Sequence, residues 1–340
     1  MGSRKLTYCM ADDRVSNEEA LRVAIASLHA HSKSFNLHLF LKDPTPDFLR
    51  WIQTKFSGVT VRKLEQSAQL SKYDIKPQLL LLLIGEGHTD VVWLDSDLII
   101  CAPPWWEAND IDRRLLVVAE EAMCHNHPDT DAQRARGWGF EIGRTLPFNI
   151  NTAIVRVTDH HRELIECWRD LLSTHVYRDA QKLGWLERAA HLFGDQDVLA
   201  AVLCKSEFSQ VPLHFLRRGK DIIQYFGPYG YTVLERLGHL FRKGPAIVHA
   251  QGHRPWLDSR DAAPSGGYAK LMSIYNDCSP YKTAAKTYQS ELTDRAWLSP
   301  RTLPGRLLKM LSFGLLPMNG LPIAVITDLK RVLFGIRKPT

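Results

Sequence analysis

The chain has 340 residues, 45% of them hydrophobic and 24% charged, and a net charge of +6. That composition is ordinary for a folded protein and excludes a disordered or fibrous chain. Between residues 300 and 340 seven basic residues face Asp328 alone, so this segment carries the whole net charge, which excludes a uniformly basic, nucleic-acid-binding surface.

From Met1 to Asp13 there is no long apolar core, so no secretory leader is expected. Leu6 to Met10 reads as a strand ending at Ala11-Asp12-Asp13. Ser16 or Asn17 is placed to cap a helix whose apolar face is Leu21, Ala24, Ile25 and Leu28. Phe35 to Leu41 alternates as a strand does, and Pro44 and Pro46 break it. Phe48 to Phe56 has helical spacing, and Val59 to Leu64 alternates again. This β-α-β-α-β opening predicts an α/β fold, a mostly parallel sheet flanked by helices.

Leu79 to Ile84 reads as part of a buried helix. It is the longest apolar run, far short of the roughly 18 residues of a membrane span. Asp90 to Ile100 holds a buried strand, and Leu115 to Ala119 another. Residues 124 to 147 are polar and aperiodic. They read as a solvated loop, or secondly as a lid whose His125, His127, Arg134 and Arg136 meet a diphosphate or an anionic acceptor. Phe148 to Val157 is a strand, His160 to Ser173 a helix, Asp195 to Leu203 a helix, and Ala246 to Ala250 a last short strand. Composition shifts near Asp258 to Gly267, which divides the chain into a catalytic region, 4–260, and a helical region, 261–340. Six cysteines lack CxxC spacing and read as free thiols of a reducing cytoplasm.

Three strings carry chemistry. Asp95-Ser96-Asp97 follows the apolar Val91-Val92-Trp93-Leu94. Buried carboxylates are costly unless compensated, and ligands of α/β sheets gather at the carboxyl ends of strands. On an extended backbone, side chains two apart point the same way, so both acids can face one divalent cation. The competing reading is a turn in which both aspartates cap backbone amides. His249-Ala250-Gln251-Gly252-His253-Arg254-Pro255-Trp256 adds an imidazole suited to Mn²⁺, a glycine that lets backbone approach a phosphate, and a guanidinium that pairs with phosphate oxygens. Asp195-Gln196-Asp197, taken alone, is a helix start capped by Asp195.

In this order and spacing, from about Thr7 to Trp256, the chain resembles the family 8 glycosyltransferases, in particular the bacterial lipopolysaccharide galactosyl- and glucosyltransferases. The resemblance implies the GT-A nucleotide-diphospho-sugar transferase fold. It implies that Ala11, Asp12 and Asp13 meet uracil and ribose, that Lys76 lies beside the donor, and that Ser96 belongs to the donor site. It implies a metal, Mn²⁺ or Mg²⁺, at Asp95, Asp97 and His249, with Gly252 and Arg254 near the diphosphate. Asn151, in Asn151-Thr152-Ala153, faces the donor sugar. Asp195 and Asp197 meet sugar hydroxyls, and Gln196 lies across the anomeric carbon from the leaving group. The family's final string, H-x-x-G-x-x-K-P-W, is one residue shorter here, with Arg254 for Lys, and Ala153 stands where the family has Gly.

The implied reaction is transfer of an α-linked galactose or glucose from a UDP-sugar, with retention, to a glycan or lipid-linked saccharide. Gln196 is a weak nucleophile, so a front-face reaction in which it only stabilises charge is easier to defend, and covalent catalysis by Asp195 or Asp197 stays open. In the tail, Leu303, Leu307, Leu308 and Leu311 share one helical face, and Ile323, Ile326, Leu329, Val332 and Leu333 repeat the pattern beside Lys330 and Arg331. Pro304, Pro317 and Pro322 divide it into short helices. A basic amphipathic helix lies on anionic membranes, so a cytoplasmic enzyme docked on the inner membrane is expected. Packing of these leucines on the main body is the alternative. Arg14-Val15-Ser16-Asn17 lacks the Gly-rich loop of a sugar nucleotidyltransferase. A catalytically silent nucleotide-sugar-binding protein is the non-enzyme alternative.

Overall fold

A computed structural model describes residues 6–64, 74–108, 111–121, 128–225, 230–241, 244–258 and 267–333. The opening runs β1 (Thr7–Asp12), α1 (Glu18–His31), β2 (Leu37–Leu41), α2 (Pro46–Lys55), β3 (Val59–Lys63), α3 (Ile75–Gly85) and β4 (Asp90–Leu94). Then follow β5 (Leu98–Ile100), α4 (Trp105–Ala108), β6 (Leu116–Glu120), α5 (Pro128–Gly137), β7 (Ile150–Thr158), α6 (Arg162–Leu172), α7 (His175–Ala180) and α8 (Asp195–Cys204). The chain continues with β8 (Leu213–Leu216), β9 (Ile222–Gln224), α9 (Val233–Phe241) and β10 (Ile247–His249). It closes on α10 (Gly267–Asp277), α11 (Pro280–Ala285), α12 (Leu303–Leu311) and α13 (Leu321–Leu333).

The fold is α/β, as the sequence predicts. Seven strands form one sheet in the order β3-β2-β1-β4-β7-β6-β8, parallel except where β7 runs against β4 and β6. Successive strand residues face opposite sides, and both sides are covered. Cys9 and Trp93 join the core beneath α3, α6 and α8, whereas Tyr8, Met10, Val92 and Leu94 join the core beneath α1 and α2. Burial on both faces accounts for the continuous apolar runs of β4 and β6. One cation interrupts this interior. Arg156 on β7 is fully buried and donates from Nε and Nη2 to Asp90 on β4, at 2.9 and 2.8 Å.

A second sheet, β5-β10-β9, sits beside the first. The chain crosses from one sheet to the other at Asp95-Ser96-Asp97, between β4 and β5. These acids therefore occupy a turn and not the extended backbone anticipated for them. The small sheet packs on α1 and α11 through Ile99, Val248, Tyr281 and Ala285, with Trp256 and Trp297 in the same core.

Two local expectations are corrected. Residues 128–137 form α5 and not a loop, while His125 and His127 lie outside the described residues. Asn17 precedes α1 without capping it, because its amide is used elsewhere. The described cysteines are all free. No described helix is long and apolar enough to cross a membrane. On α12 and α13 Leu303, Leu307, Leu311, Ile326, Leu329 and Leu333 are each more than half exposed, while Leu308 and Ile323 are half-buried and Ala324 is buried.

Candidate active site

The site lies along one edge of the large sheet. The carboxyl ends of β1, β4 and β6 meet there with the start of β7, which runs the other way. β4 delivers Asp95 to Asp97, and Asp95 N donates to Ala153 O of β7 at 2.8 Å. β10 delivers His249, which is in register with Leu98, and Ala250 N donates to Asp97 O at 3.1 Å. Cross-strand pairing thus brings together residues distant in sequence. Ligand atoms of Asp95, Asp97 and His249 lie within 4.8 Å of one another.

This donor set fits a divalent cation. Asp97 Oδ1 is buried and accepts no hydrogen bond, and His249 Nε2 stands 3.4 Å from it. His249 Nδ1 is likewise buried without a hydrogen-bond partner. Two carboxylates and an imidazole are a common set for Mn²⁺. Burial opposes ionisation of Asp97, but His249 outweighs it and holds the carboxyl below its usual range. Burial also disfavours a charged His249, and Asp97 reverses this and raises its proton affinity. Burial raises Asp95, and the charge on Asp97 adds to that against the pull of Lys76.

Asp95 is shared with a cation of the protein itself. Lys76 on α3 lies 3.1 Å from Asp95 Oδ1 and 3.3 Å from Asp195 Oδ2, and donates to Thr152 Oγ1 at 3.0 Å. It therefore ties the metal-side carboxylate to the start of α8. Asp195 does not cap that helix, whose N-cap is Gly194. Its carboxylate accepts from Thr152 Oγ1 at 2.7 Å, and its carbonyl accepts from Trp168 Nε1 at 3.0 Å. Asp197 pairs with Arg134 of α5 at 2.8 Å. Burial pushes the Asp197 carboxyl up to about 6 against the pull of Arg134, with Asp195 and Glu121 adding to the rise. Arg134 is thus a buried partner of the acid string and not a lid residue, whereas Arg136 is exposed.

The end of β1 is organised from within. Asp12 accepts from Arg14 N, Nε and Nη2, from Asn17 Nδ2 at 2.8 Å and from Ser96 Oγ at 2.5 Å. Burial works against its charge, yet these donors hold the carboxyl below its usual value. Asn17 Oδ1 in turn accepts from Trp256 Nε1 at 3.1 Å. Asp12 and Ser96 therefore brace each other, Asp13 is exposed and Ala11 is half-buried. Gly252 has a φ of 80°, in the left-handed region open to glycine. With Arg254, Asp97, His253, Leu257 and Asp258 it lines a cavity of about 360 Å³.

One central residue escapes the sequence reading. Glu121, buried just after β6, accepts from Asn151 Nδ2 at 2.9 Å, Gln196 Nε2 at 3.3 Å and Gln251 Nε2 at 2.8 Å. Three amides from three elements converge on one carboxylate. The signal was present in Glu120-Glu121, an acidic pair after the buried run Leu116–Ala119, in the same pattern as Asp95-Ser96-Asp97.

No protein-family profile and no curated protein matches the chain. Among solved structures it is similar to mouse xyloside xylosyltransferase 1 at 16% identity, over 73% of this chain and 98% of that one, with a TM-score of 0.46. It is similar to the galactosyltransferase LgtC, solved with donor and acceptor sugar analogues, at 15% identity over 85% of this chain and 96% of that one, TM-score 0.46. The bifunctional glycosyltransferase WbbM shares 11% identity over 86% of this chain and 52% of its own, TM-score 0.47. Likeness at this level carries no functional argument, which rests on the site.

Proposed function

We propose that the chain is a metal-dependent, retaining glycosyltransferase that moves a hexose from a nucleotide-diphosphate sugar, UDP-galactose or UDP-glucose, to a saccharide acceptor. The observation that carries this reading is the convergence of Asp95, Asp97 and His249 at the sheet's carboxyl edge, beside a cavity lined by Gly252 and Arg254. Asp95, Asp97 and His249 would hold Mn²⁺ or Mg²⁺, which would supply positive charge to offset a departing diphosphate. Arg254 pairs with the same phosphates. Asn151, Asp195 and Asp197 meet sugar hydroxyls, and Asp13 and the backbone at Ala11 face the nucleoside.

Ion pairing of both acids in Asp195-Gln196-Asp197 favours the front-face reaction. To attack carbon, Asp195 must leave Lys76 and Asp197 must leave Arg134. In the front-face step the C1–O bond to diphosphate breaks and a C1–O bond to the acceptor forms on the same face. The acceptor's hydroxyl proton passes to the departing phosphate oxygen. Glu121 holds the Gln196 amide by its nitrogen, which leaves the carbonyl end to stabilise positive charge at C1.

The acceptor is read as lipid-linked and the enzyme as peripheral on the cytoplasmic face of a membrane. The exposed leucines of α12 and α13, beside Arg306 and Lys330, support this reading. UDP release from a panel of UDP-sugars, with Mn²⁺ and with EDTA, tests the reaction. Release is expected to need the metal and to favour one sugar. Asp97→Asn is expected to lower it by about a thousandfold, the several kcal/mol a metal supplies to charge stabilisation. Turnover that survives EDTA and Asp97→Asn would sink the metal reading.

A further inference from the structure

Away from the donor cavity, α11, the turn after it and α12 enclose a second, partly open cavity of about 570 Å³. Its lining is Thr283, Lys286, Thr287, Lys309, Met310, Ser312 and Gly314. It shares no lining residue with the donor cavity. Two lysines and two threonines therefore line one space, while the buried Ser312 hydroxyl is used within the protein, donating to Lys309 O at 2.6 Å. Lys286 and Lys309 line the same cavity from the turn after α11 and from α12. Lys309 Nζ donates to Leu298 O at 3.3 Å. Among the described residues, neither lysine forms an ion pair with a carboxylate. Lys282, the next cation inward, lies 3.5 Å from Asp277 and 3.9 Å from Asp258.

Two ammonium groups lining one half-enclosed space repel, and among the described residues the charge of Asp277 offsets this only in part. The strain shows on Lys309, which burial, then Lys286 and Lys282, push down to about 8. An anion placed between them removes the repulsion and satisfies their donors. Phosphate suits the space. It offers several strong acceptor oxygens, and lysine binds it as a point charge while hydroxyls supply further donors. We infer that Lys286 and Lys309, with the hydroxyls of Thr283 and Thr287, form a binding pocket for a phosphate group. The phosphate comes from a lipid headgroup or from a free phosphorylated solute. The exposed apolar face of α12, which carries Lys309 and Met310 of the lining, favours the headgroup.

The test needs no donor sugar and is run in EDTA, so it stands or falls apart from the transferase reading. Inorganic phosphate is titrated into the full-length protein, by calorimetry and by thermal melting. Wild type is expected to bind saturably and to melt higher with phosphate. Lys286→Gln and Lys309→Gln are each expected to bind at least about tenfold more weakly, the loss of one charge-assisted contact. Both are expected to melt no lower than wild type without phosphate, because each removes a repulsion. Equal phosphate affinity in wild type and both variants overturns the pocket. Sedimentation with phosphatidylcholine vesicles, with or without phosphatidylglycerol, separates the sources. Lys330→Gln, on the exposed tail outside the cavity, controls for bulk charge. If the cavity variants lose phosphatidylglycerol-dependent binding well beyond Lys330→Gln, the headgroup is the source. If they lose phosphate but match Lys330→Gln on vesicles, a soluble phosphorylated ligand is the source. If all three behave alike on vesicles and phosphate does not bind, the pocket is refuted.

Discussion

Glu121 decides which end of three amides is presented to the candidate site. A carboxylate accepts only, so Asn151, Gln196 and Gln251 must each turn their nitrogen towards it. Glu121→Gln keeps the shape but supplies an amide of its own, which sets donor against donor. Donor turnover is expected to fall by about a hundredfold, as for loss of a charge-stabilising group, with UDP affinity within a few-fold. The same substitution in a Gln196→Ala background is expected to add little, because residues in one network are not additive. A full second loss there would show that Glu121 acts by another route, and a hexose adduct mapped to Glu121 would make it the nucleophile.

Asp197 gives the site a pH limb. Its carboxyl sits near 6, above the roughly 3.9 of an unfolded chain. The folded state therefore binds this proton more tightly than the unfolded state. From this group alone, stability falls as pH rises from about 4 to about 6. Activity moves the other way, since the ion pair with Arg134 needs the charged acid. Turnover is expected to fall as pH drops below about 6, and Asp197→Asn is expected to flatten that limb. An unchanged limb in Asp197→Asn assigns the proton to another group.

The strands and helices of the first hundred residues were legible from their apolar pattern, whereas α5, α7, β8, β9 and α9 were not read from the sequence. β1 and β4 were visible as apolar runs because both faces of the sheet are covered there, and β2 and the half-exposed edge strand β3 were visible as alternation. α5 was hidden because the side it buries carries Asp131, Arg134 and Ala135, which leaves no apolar stripe to count. The three strings that carry chemistry were legible as strings. Their connections, Lys76 to Asp195 and Arg134 to Asp197, were not, because pairing across elements leaves no local spacing. Arg156 was equally hidden within the apolar run of β7. Arg156→Met leaves Asp90 without its guanidinium and is expected to cost about 3–5 kcal/mol in urea unfolding. Adding Asp90→Val is expected to recover much of that, and a single-mutant cost below about 1 kcal/mol would show that the pair holds little.

Across the whole molecule, the tail is both exposed and structurally engaged. Val233 N donates to Asp328 of α13 at 2.8 Å, and Arg236 Nη1 donates to Asn319 O at 2.6 Å. Deleting the tail would therefore disturb α9, and single substitutions test the membrane reading more cleanly. Leu307→Glu and Leu329→Glu each place a charge where an apolar side chain is more than half exposed. Each is expected to weaken sedimentation with phosphatidylglycerol vesicles by about tenfold or more, from the roughly 1.5–3 kcal/mol of burying a leucine. Donor hydrolysis in detergent should be unchanged, and vesicle binding indifferent to both would place the contact elsewhere.

The turn at Asp95-Ser96-Asp97, where the chain passes between sheets, also sets an order of events in folding. β5 pairs with β10, so residues 98–100 must find residues 247–249 before His249 stands beside Asp97. Closing so long a loop is slow relative to local pairing. During synthesis the large sheet can begin to form around β1, β2 and β4 long before β10 has emerged. On the proposed metal reading, affinity for a divalent cation is then acquired late, as a report that the second sheet has docked.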